Sequence, residues 1–392
     1  MCGIATKNIK ITDLDISVII VSYNVRYYLE QCLNSVLASR DGLEMEVFVV
    51  DNNSTDGSIA YLSERFPQVH FIANPDNRGF SRANNQAIRQ AQGRYVLLLN
   101  PDTIITEHTL TDCIQYLDQH PEVGATGAAM YGNNGRFAWE SRRGVPTPWT
   151  AFCKMTGLTS LFPHSRRFGR YYMRYLNREE ANYIEVISGA FFMVRREALD
   201  QVGLLDETFF MYGEDIDLSY RLLQGGWRNA YVPTPILHYK GESTQKSSYR
   251  YVHVFYEAML IFFDKHFRRR YRVVSEIIRL AVYLRAFIDM IKQTLQKALD
   301  MLPQRQPEPE VCLCLGTDES LRQMQDVCQR NGLIFSTDPH VRHQYTIFDT
   351  TQYTYGEILD RLIALATGET TTNLGTYNPN TGIMILPYDV FK

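Results

Sequence analysis

The sequence is poor in cysteine, in net charge and in long uncharged apolar runs, and each shortage removes a class of protein. Seven cysteines in 392 residues, at Cys2, Cys32, Cys113, Cys153, Cys312, Cys314 and Cys328, are scattered and odd in number. No paired spacing builds a zinc site or a disulfide framework, so a reducing, cytoplasmic setting is expected. A net charge of −3 gives no global attraction for nucleic acid. Lys7 and Lys10 precede Ile16, but no apolar stretch does, so no signal peptide is expected. The segment nearest to a membrane span, 273–291, contains Glu276, Arg279, Arg285 and Asp289. One charge at a bilayer centre costs about 2.5–3.5 kcal/mol, so four exclude a simple span. No G-x-G-x-x-G follows the first apolar run, which disfavours a dinucleotide oxidoreductase. Residues 22–26 also lack a glycine-rich phosphate loop and a lysine, which disfavours a nucleotidyltransferase that makes sugar nucleotides.

What is present in the first half is an alternation of strands and helices. Ser17–Val21 and Val47–Val50 read as buried strands, with Val69–Ala73 and Tyr95–Leu99 following. Between them, Leu29, Cys32, Leu33, Val36 and Leu37 repeat at helical steps, Asp56 can cap a helix, and Phe80–Gln92 reads as a helix stopped by Gly93. Continuous apolar strands separated by helices predict an α/β fold, a mostly parallel sheet covered by helices on both faces. Ligands of such sheets sit outside the carboxyl ends of the strands. Polar residues collect at those ends: Ser22, Tyr23 and Asn24, then Asp51 to Thr55, then Asn100 to Thr103. Further on, Ile184–Val194 returns to strand character, Glu214–Gln224 reads as a helix, and Trp227–Val232 reads as a strand. Pro303, Pro307 and Pro309 mark a linker over 303–310, and 311–392 reads as a small α/β domain with no interpretable motif.

Several residues are suited to chemistry by type and place. Asp102, at a strand end behind a proline, can hold a divalent cation, although a lone aspartate there is also a common turn residue. Asp51 can accept hydrogen bonds from a base or ribose, or close an Asx-turn. Glu214, Asp215 and Asp217 open a helix, where the dipole favours acids, yet three in four residues exceed what a cap requires. One of them can serve as a general base facing a cleft. His238 lies between Pro233, Pro235 and Gly241, in a loop expected after the strand Trp227–Val232, and can be structural or a metal ligand.

Residues 132–178 carry nine basic side chains (Arg136, Arg142, Arg143, Lys154, Arg166, Arg167, Arg170, Arg174, Arg178) against one acid, Glu140, with aromatics between them. Such a segment suits an anionic, partly apolar partner: a lipid-linked diphosphate or a membrane surface. The run Arg268 to Arg272 and the helical pattern after it, over 266–302, read as a basic amphipathic segment, either packed on the main domain or lying on an anionic membrane.

Six motifs occur in order: Ser-Val-Ile-Ile-Val-Ser-Tyr-Asn (17–24), Val-Val-Asp-Asn-Asn-Ser-Thr-Asp-Gly-Ser (49–58), Asn-Arg-Gly-Phe-Ser-Arg-Ala-Asn-Asn-Gln-Ala (77–87), Leu-Asn-Pro-Asp-Thr (99–103), Ser-Gly-Ala-Phe-Phe-Met-Val-Arg-Arg-Glu (188–197) and Gly-Glu-Asp-Ile-Asp-Leu (213–218). Together they resemble glycosyltransferase family 2, in particular its bacterial rhamnosyltransferase-like branch, over roughly residues 15–265. The resemblance implies a GT-A fold over 1–265 and an inverting transfer from a dTDP- or UDP-linked sugar to a glycan or lipid-linked acceptor. It implies Asp215 as catalytic base, and Mg²⁺ or Mn²⁺ held by Asp102 and His238. Nucleotide-sugar contacts would come from Ser22, Tyr23, Asn24, Asp51, Asn53, Asn77, Gly79, Asn84, Asn100, Gly189 and Glu214. Asn100 departs from the family's D-x-D pattern, leaving one carboxylate and predicting weaker metal affinity. It also keeps open a non-catalytic nucleotide-sugar-binding protein as the alternative.

Overall fold

The computed structural model describes residues 14–239, 249–268, 309–367 and 372–392, with single helical positions at 280, 283, 287, 290, 291 and 294. The basic run beyond Arg268 and most of the 266–302 and 303–310 segments lie outside the described residues.

The first part of the chain forms a nine-stranded sheet. Its strands are β1 (Ile16–Ser22), β2 (Met45–Asp51), β3 (His70–Ala73), β4 (Tyr95–Leu99), β5 (Thr103–Ile105), β6 (Val123–Tyr131), β7 (Asn182–Ile184), β8 (Phe191–Arg195) and β9 (Arg228–His238). They lie in the order β3-β2-β1-β4-β8-β6-β9-β5, and β7 pairs with β9. β1 to β4, β6 and β9 run one way, whereas β5, β7 and β8 run against them. Both faces are buried, as the apolar strands require. Ile16, Val18 and Ile20 of β1 enter one core, and Ile19 and Val21 enter the other.

The connecting helices are α1 (Arg26–Ala38), α2 (Ser58–Arg65), α3 (Phe80–Ile88), α4 (Thr109–Gln119), α5 (Pro148–Met155), α6 (Leu158–Leu161), α7 (Arg196–Val202), α8 (Glu214–Gln224) and α9 (Tyr249–His266). α3 ends short of the expected Gln92. A Cβ at Gly93 would lie 2.5 Å from Ser17 N, so the chain must leave the helix early to pass this close to β1. The single strand expected over 184–194 is broken into β7 and β8, and the loop between them carries Ser188 and Gly189. β9 runs beyond the expected Val232, through Pro233 and Pro235, because irregular pairing with β6 absorbs the missing donors. His238 is therefore the last residue of a strand, not part of a loop.

A second, six-stranded sheet follows, from β10 (Val311–Leu315), β11 (Ile334–Ser336), β12 (Tyr345–Asp349), β13 (Asn373–Asn378), β14 (Ile383–Leu386) and β15 (Asp389–Phe391). Its order is β11-β10-β12-β13-β14-β15, with helices over Asp318–Arg330 and Tyr355–Ala366. This unit covers the β5 edge of the large sheet. Ile104, Leu237, Tyr239 and Tyr28 share one apolar cluster with Phe348, Ile358, Leu359 and Leu362. Tyr28 Oη donates to Leu386 O at 2.8 Å, and Gln31 Nε2 to Thr376 Oγ1 at 2.6 Å. The Glu107 carboxylate accepts from Tyr355 N at 2.8 Å and Gly356 N at 3.0 Å, placing a negative charge on the helix N-terminus. The segment after β5 is thus fastened to the second unit by charge-assisted bonds. Glu107→Ala is expected to cost about 1.5–3 kcal/mol, the range for a hydrogen bond to a charged group, read as a lower urea midpoint at unchanged slope.

Candidate functional site

The carboxyl ends of β1, β2, β4 and β9 meet the start of β8 and the first turn of α8 around a cavity of ≈ 470 Å³. Ser22, Tyr23, Asn52 and Asn77 line one side; Asn100, Asp102 and His238 lie at its centre; Ser188, Gly189, Glu214 and Asp215 line the other. Glu140, Arg143, Tyr171 and Tyr172 reach in from the basic segment.

On the β1–β2 side the polar residues divide into linings and braces. Ser22 is fully buried, and its Oγ has no partner among the described residues. Asp51 is 3% exposed: Oδ2 accepts from Ser54 N at 2.8 Å, while Oδ1 meets no donor among the described residues. Asn24 ties two loops together. Its N donates to Ser54 Oγ at 2.8 Å, and its Oδ1 accepts from Thr55 N at 2.7 Å. Asn53 is exposed in a left-handed conformation, φ 67°. Asn77 Oδ1 accepts from Gly79 N at 3.0 Å, and Gly79 at φ +80° leaves no room for a Cβ, which would sit 2.6 Å from Phe210 O. Asn84 is buried on α3 with its Nδ2 on Phe80 O at 2.9 Å, outside the cavity wall.

The central group follows from sheet register. Thr103 pairs with His238, so the residue before β5 and the residue ending β9 face each other. His238 Nε2 lies 3.3 Å from Asp102 Oδ1 and 3.3 Å from Asn100 Nδ2. Asp102 is 2% exposed. A buried carboxylate beside an imidazole is a donor set that suits a divalent cation. No cluster of three or more His, Cys, Asp or Glu side chains fit for a metal occurs among the described residues. The protein would therefore supply two donors, and phosphate oxygens and water the others, as Mg²⁺ and Mn²⁺ accept.

The three acids of α8 have three different surroundings. Tyr212 and Gly213 take positive φ, 67° and 86°, and this turn aims the first helical residues at the cavity. Asp215 Oδ2 accepts from Arg143 Nη2 at 2.5 Å and Gly189 N at 3.0 Å; Oδ1 accepts from Ile216 N at 2.8 Å. The Arg143 side chain is largely removed from water, at 16% exposed, which disfavours its charge, but the Asp215 carboxylate outweighs burial and raises its pKa. Glu214, 6% exposed beside Asp215, is pushed up by burial and by that neighbouring charge, so its neutral form is favoured. Asp217 points away from the cavity. It meets Arg221 Nε at 2.7 Å, Lys265 Nζ at 2.8 Å and His266 Nε2 at 2.7 Å, and so pins α8 to α9.

Arg143 was not among the residues singled out for the site. Its only sequence signal was membership of the basic segment, and composition does not separate a buried arginine from a solvated one. Arg142 beside it is fully buried, boxed by Phe137 and Tyr231 with ring distances of 5.4 and 5.2 Å.

Residues 17–203 match the family described as Glycosyl transferase family 2. Among curated proteins the chain is 28% identical over 262 residues, 64% of its length and 84% of the relative's, to an N-acetylglucosaminyl-diphospho-decaprenol L-rhamnosyltransferase of Mycobacterium tuberculosis. It is 25% identical to a poly-beta-1,6-N-acetyl-D-glucosamine synthase of Staphylococcus aureus, covering 58% of this chain and 50% of that one. Among solved structures, a Pyrobaculum calidifontis mannosyltransferase in complex with GDP-Man and Mn²⁺ is similar at TM-score 0.46 and 17% identity, over 74% of this chain and 76% of that one. Staphylococcus aureus TarS is similar at TM-score 0.43 and 22% identity, and the match spans 64% of each chain.

The Asp217 cluster has a pH consequence. Burial alone would raise its pKa, but His266, Arg221 and Lys265 hold it at about 2, below the ordinary 3.8. A depressed carboxyl contributes stability above its unfolded value and loses it as pH falls through its folded value. Unfolding free energy is expected to drop by about 2 kcal/mol between pH 4 and 2 on this account. Asp217→Asn should lower stability at pH 7 and flatten that acid limb in urea titrations.

Proposed function

We propose that this chain, a glycosyltransferase carrying a glycosyl transferase family 2 domain over residues 17–203, moves a sugar by inverting displacement from a nucleoside diphosphate to an acceptor used in cell-surface polysaccharide. The observation that carries this reading is that Asp102 and Asp215 line one cavity, together with His238 and Gly189. The mycobacterial relative's name motivates rhamnose as the sugar and a lipid-linked diphosphate as the acceptor. dTDP- or UDP-linked donors suit the β1–β2 side, where Ser22 Oγ and Asp51 Oδ1 have hydrogen-bonding capacity to spare.

In the proposed reaction the acceptor hydroxyl gives its proton to Asp215 as its oxygen bonds to the anomeric carbon. The bond from that carbon to the diphosphate oxygen breaks, and the nucleoside diphosphate leaves with the electron pair from the opposite face. Arg143 and Gly189 N hold the Asp215 carboxylate in place. Asp102 and His238 would hold Mg²⁺ or Mn²⁺, which neutralises the charge that develops on the leaving diphosphate. Residues 1–265 would contain this machinery, and 311–392 would support it by covering the edge that carries Ile104 and Leu237.

Asp215→Asn tests the assignment. A general base contributes about 10²–10⁴ in rate. Transfer is expected to fall by about three orders of magnitude, while donor affinity by calorimetry changes little. Retained turnover would remove Asp215 from the role.

A further inference from the structure

The sequence pattern of α5 and α6 is inverted relative to an ordinary surface helix: small and polar residues face inward, and large apolar ones face out. On α5, Thr150 and Cys153 are buried, and Thr147 caps the helix ahead of Pro148. Trp149 and Phe152 are left 43% and 46% exposed. After Gly157, at φ +82°, α6 buries Thr159, whose Oγ1 donates to Phe168 O at 2.9 Å. Leu161 and Phe162 are left 71% and 51% exposed.

These side chains form one patch. Trp149 stacks on Phe152 with ring centroids 5.8 Å apart and lies 6.1 Å from Phe168, which is 5.5 Å from Phe162. Contiguous exposed apolar surface of this kind marks an interaction site. Its rim is cationic: Arg166 and Arg167 are exposed, and Arg167 lies 5.5 Å over Trp149. No acidic residue occurs between Ser141 and Arg178. The helix that carries the patch is tied to the cavity wall, because Lys154 of α5 donates to Tyr172 Oη at 2.5 Å and Tyr172 lines the cavity.

We propose that the α5–α6 patch docks the enzyme on an anionic lipid bilayer, with Trp149, Phe152, Leu161 and Phe162 entering the interface and Arg166 and Arg167 meeting headgroup phosphates. Aromatic rings with arginines and no carboxylates match the interfacial zone of such a bilayer. The cavity mouth then opens at the membrane, where an acceptor with a lipid anchor presents its sugar end. This deepens the proposed transfer to a lipid-linked acceptor, but vesicle binding is measured without turnover, so the two can fail separately.

The test is flotation of the full-length protein with phosphatidylglycerol-containing and pure phosphatidylcholine vesicles. The wild type is expected to float with the anionic vesicles, less so at high salt and with the zwitterionic ones. Phe152→Ser/Leu161→Ser/Phe162→Ser should abolish flotation at an unchanged melting temperature. Arg166→Gln/Arg167→Gln should weaken it about tenfold or more. Brominated acyl chains should quench tryptophan emission in the wild type and lose that effect in Trp149→Phe, a readout independent of how the triple variant folds. The proposal is overturned if the wild type ignores anionic vesicles. It is equally overturned if the patch variants float like the wild type, or if flotation is lost instead on changing the exposed Leu280 and Phe287. Retention by a protein partner with no vesicle binding would also overturn it.

Discussion

The antiparallel ladder between β4 and β8 is the constraint on which the cavity depends. Leu99 opposes Phe191, and Asn100 N donates to Ala190 O at 3.0 Å, so the loop leaving β4 and the loop entering β8 must lie side by side. The first loop brings Asn100 and Asp102; the second brings Ser188 and Gly189. Had β8 run parallel to β4, Gly189 and the helix that packs on it would sit at the far end of the sheet. One reversed strand in a sheet where six of nine point the other way therefore unites the two walls of the site.

Gly189 is where this constraint reaches α8. A Cβ there would lie 3.4 Å from Asp215 Cβ, and the Gly189 amide donates to Asp215 Oδ2. Arg143 completes the hold from the opposite side, carrying the basic segment with it. Three neighbouring acids are thereby given different work. Asp217 clamps two helices, Glu214 is driven toward its neutral form by burial, and Asp215 keeps a hydrogen-bonded carboxylate at the cavity wall. The second sheet acts on the other wall. Glu107 and the apolar cluster around Ile104 and Leu237 fix β5 and the end of β9, and hence the separation of Asp102 and His238.

Much of this frame was legible from the residues. The apolar runs that became β1, β2 and β4 were legible because a strand buried on both faces leaves a continuous hydrophobic record, whereas β3, half-exposed at the sheet edge, was read from its apolar residues alone. The clustering of Ser22, Asp51 and Asn100 to Asp102 at strand ends is likewise a direct consequence of topology. What escaped had no local signature. β5 is three residues long, and it exists only because β9 lies beside it. The break between β7 and β8 occurs within an apolar stretch that periodicity cannot divide. Arg143 is identified by its partner across the cleft, a tertiary fact, and the fastening of the second unit through Glu107 spans 248 residues of chain. Asn24 and Asn84 also illustrate the limit: both sit in recognisable motifs, yet their side chains bond to the fold itself.

The proposed function requires that the cavity between β1, β4, β8 and α8 hold a nucleoside diphosphate sugar. Its most direct test is a thermal-shift panel of nucleoside diphosphates and their sugars, with and without Mn²⁺, on the wild type and on Asp51→Ala. A ligand at a hundred times its dissociation constant stabilises the fold by about 2.7 kcal/mol. The wild type is expected to be stabilised by a dTDP or UDP species, more so with Mn²⁺, and Asp51→Ala to lose that stabilisation. No stabilisation by any member of the panel, or equal stabilisation of the variant, would contradict the proposed function.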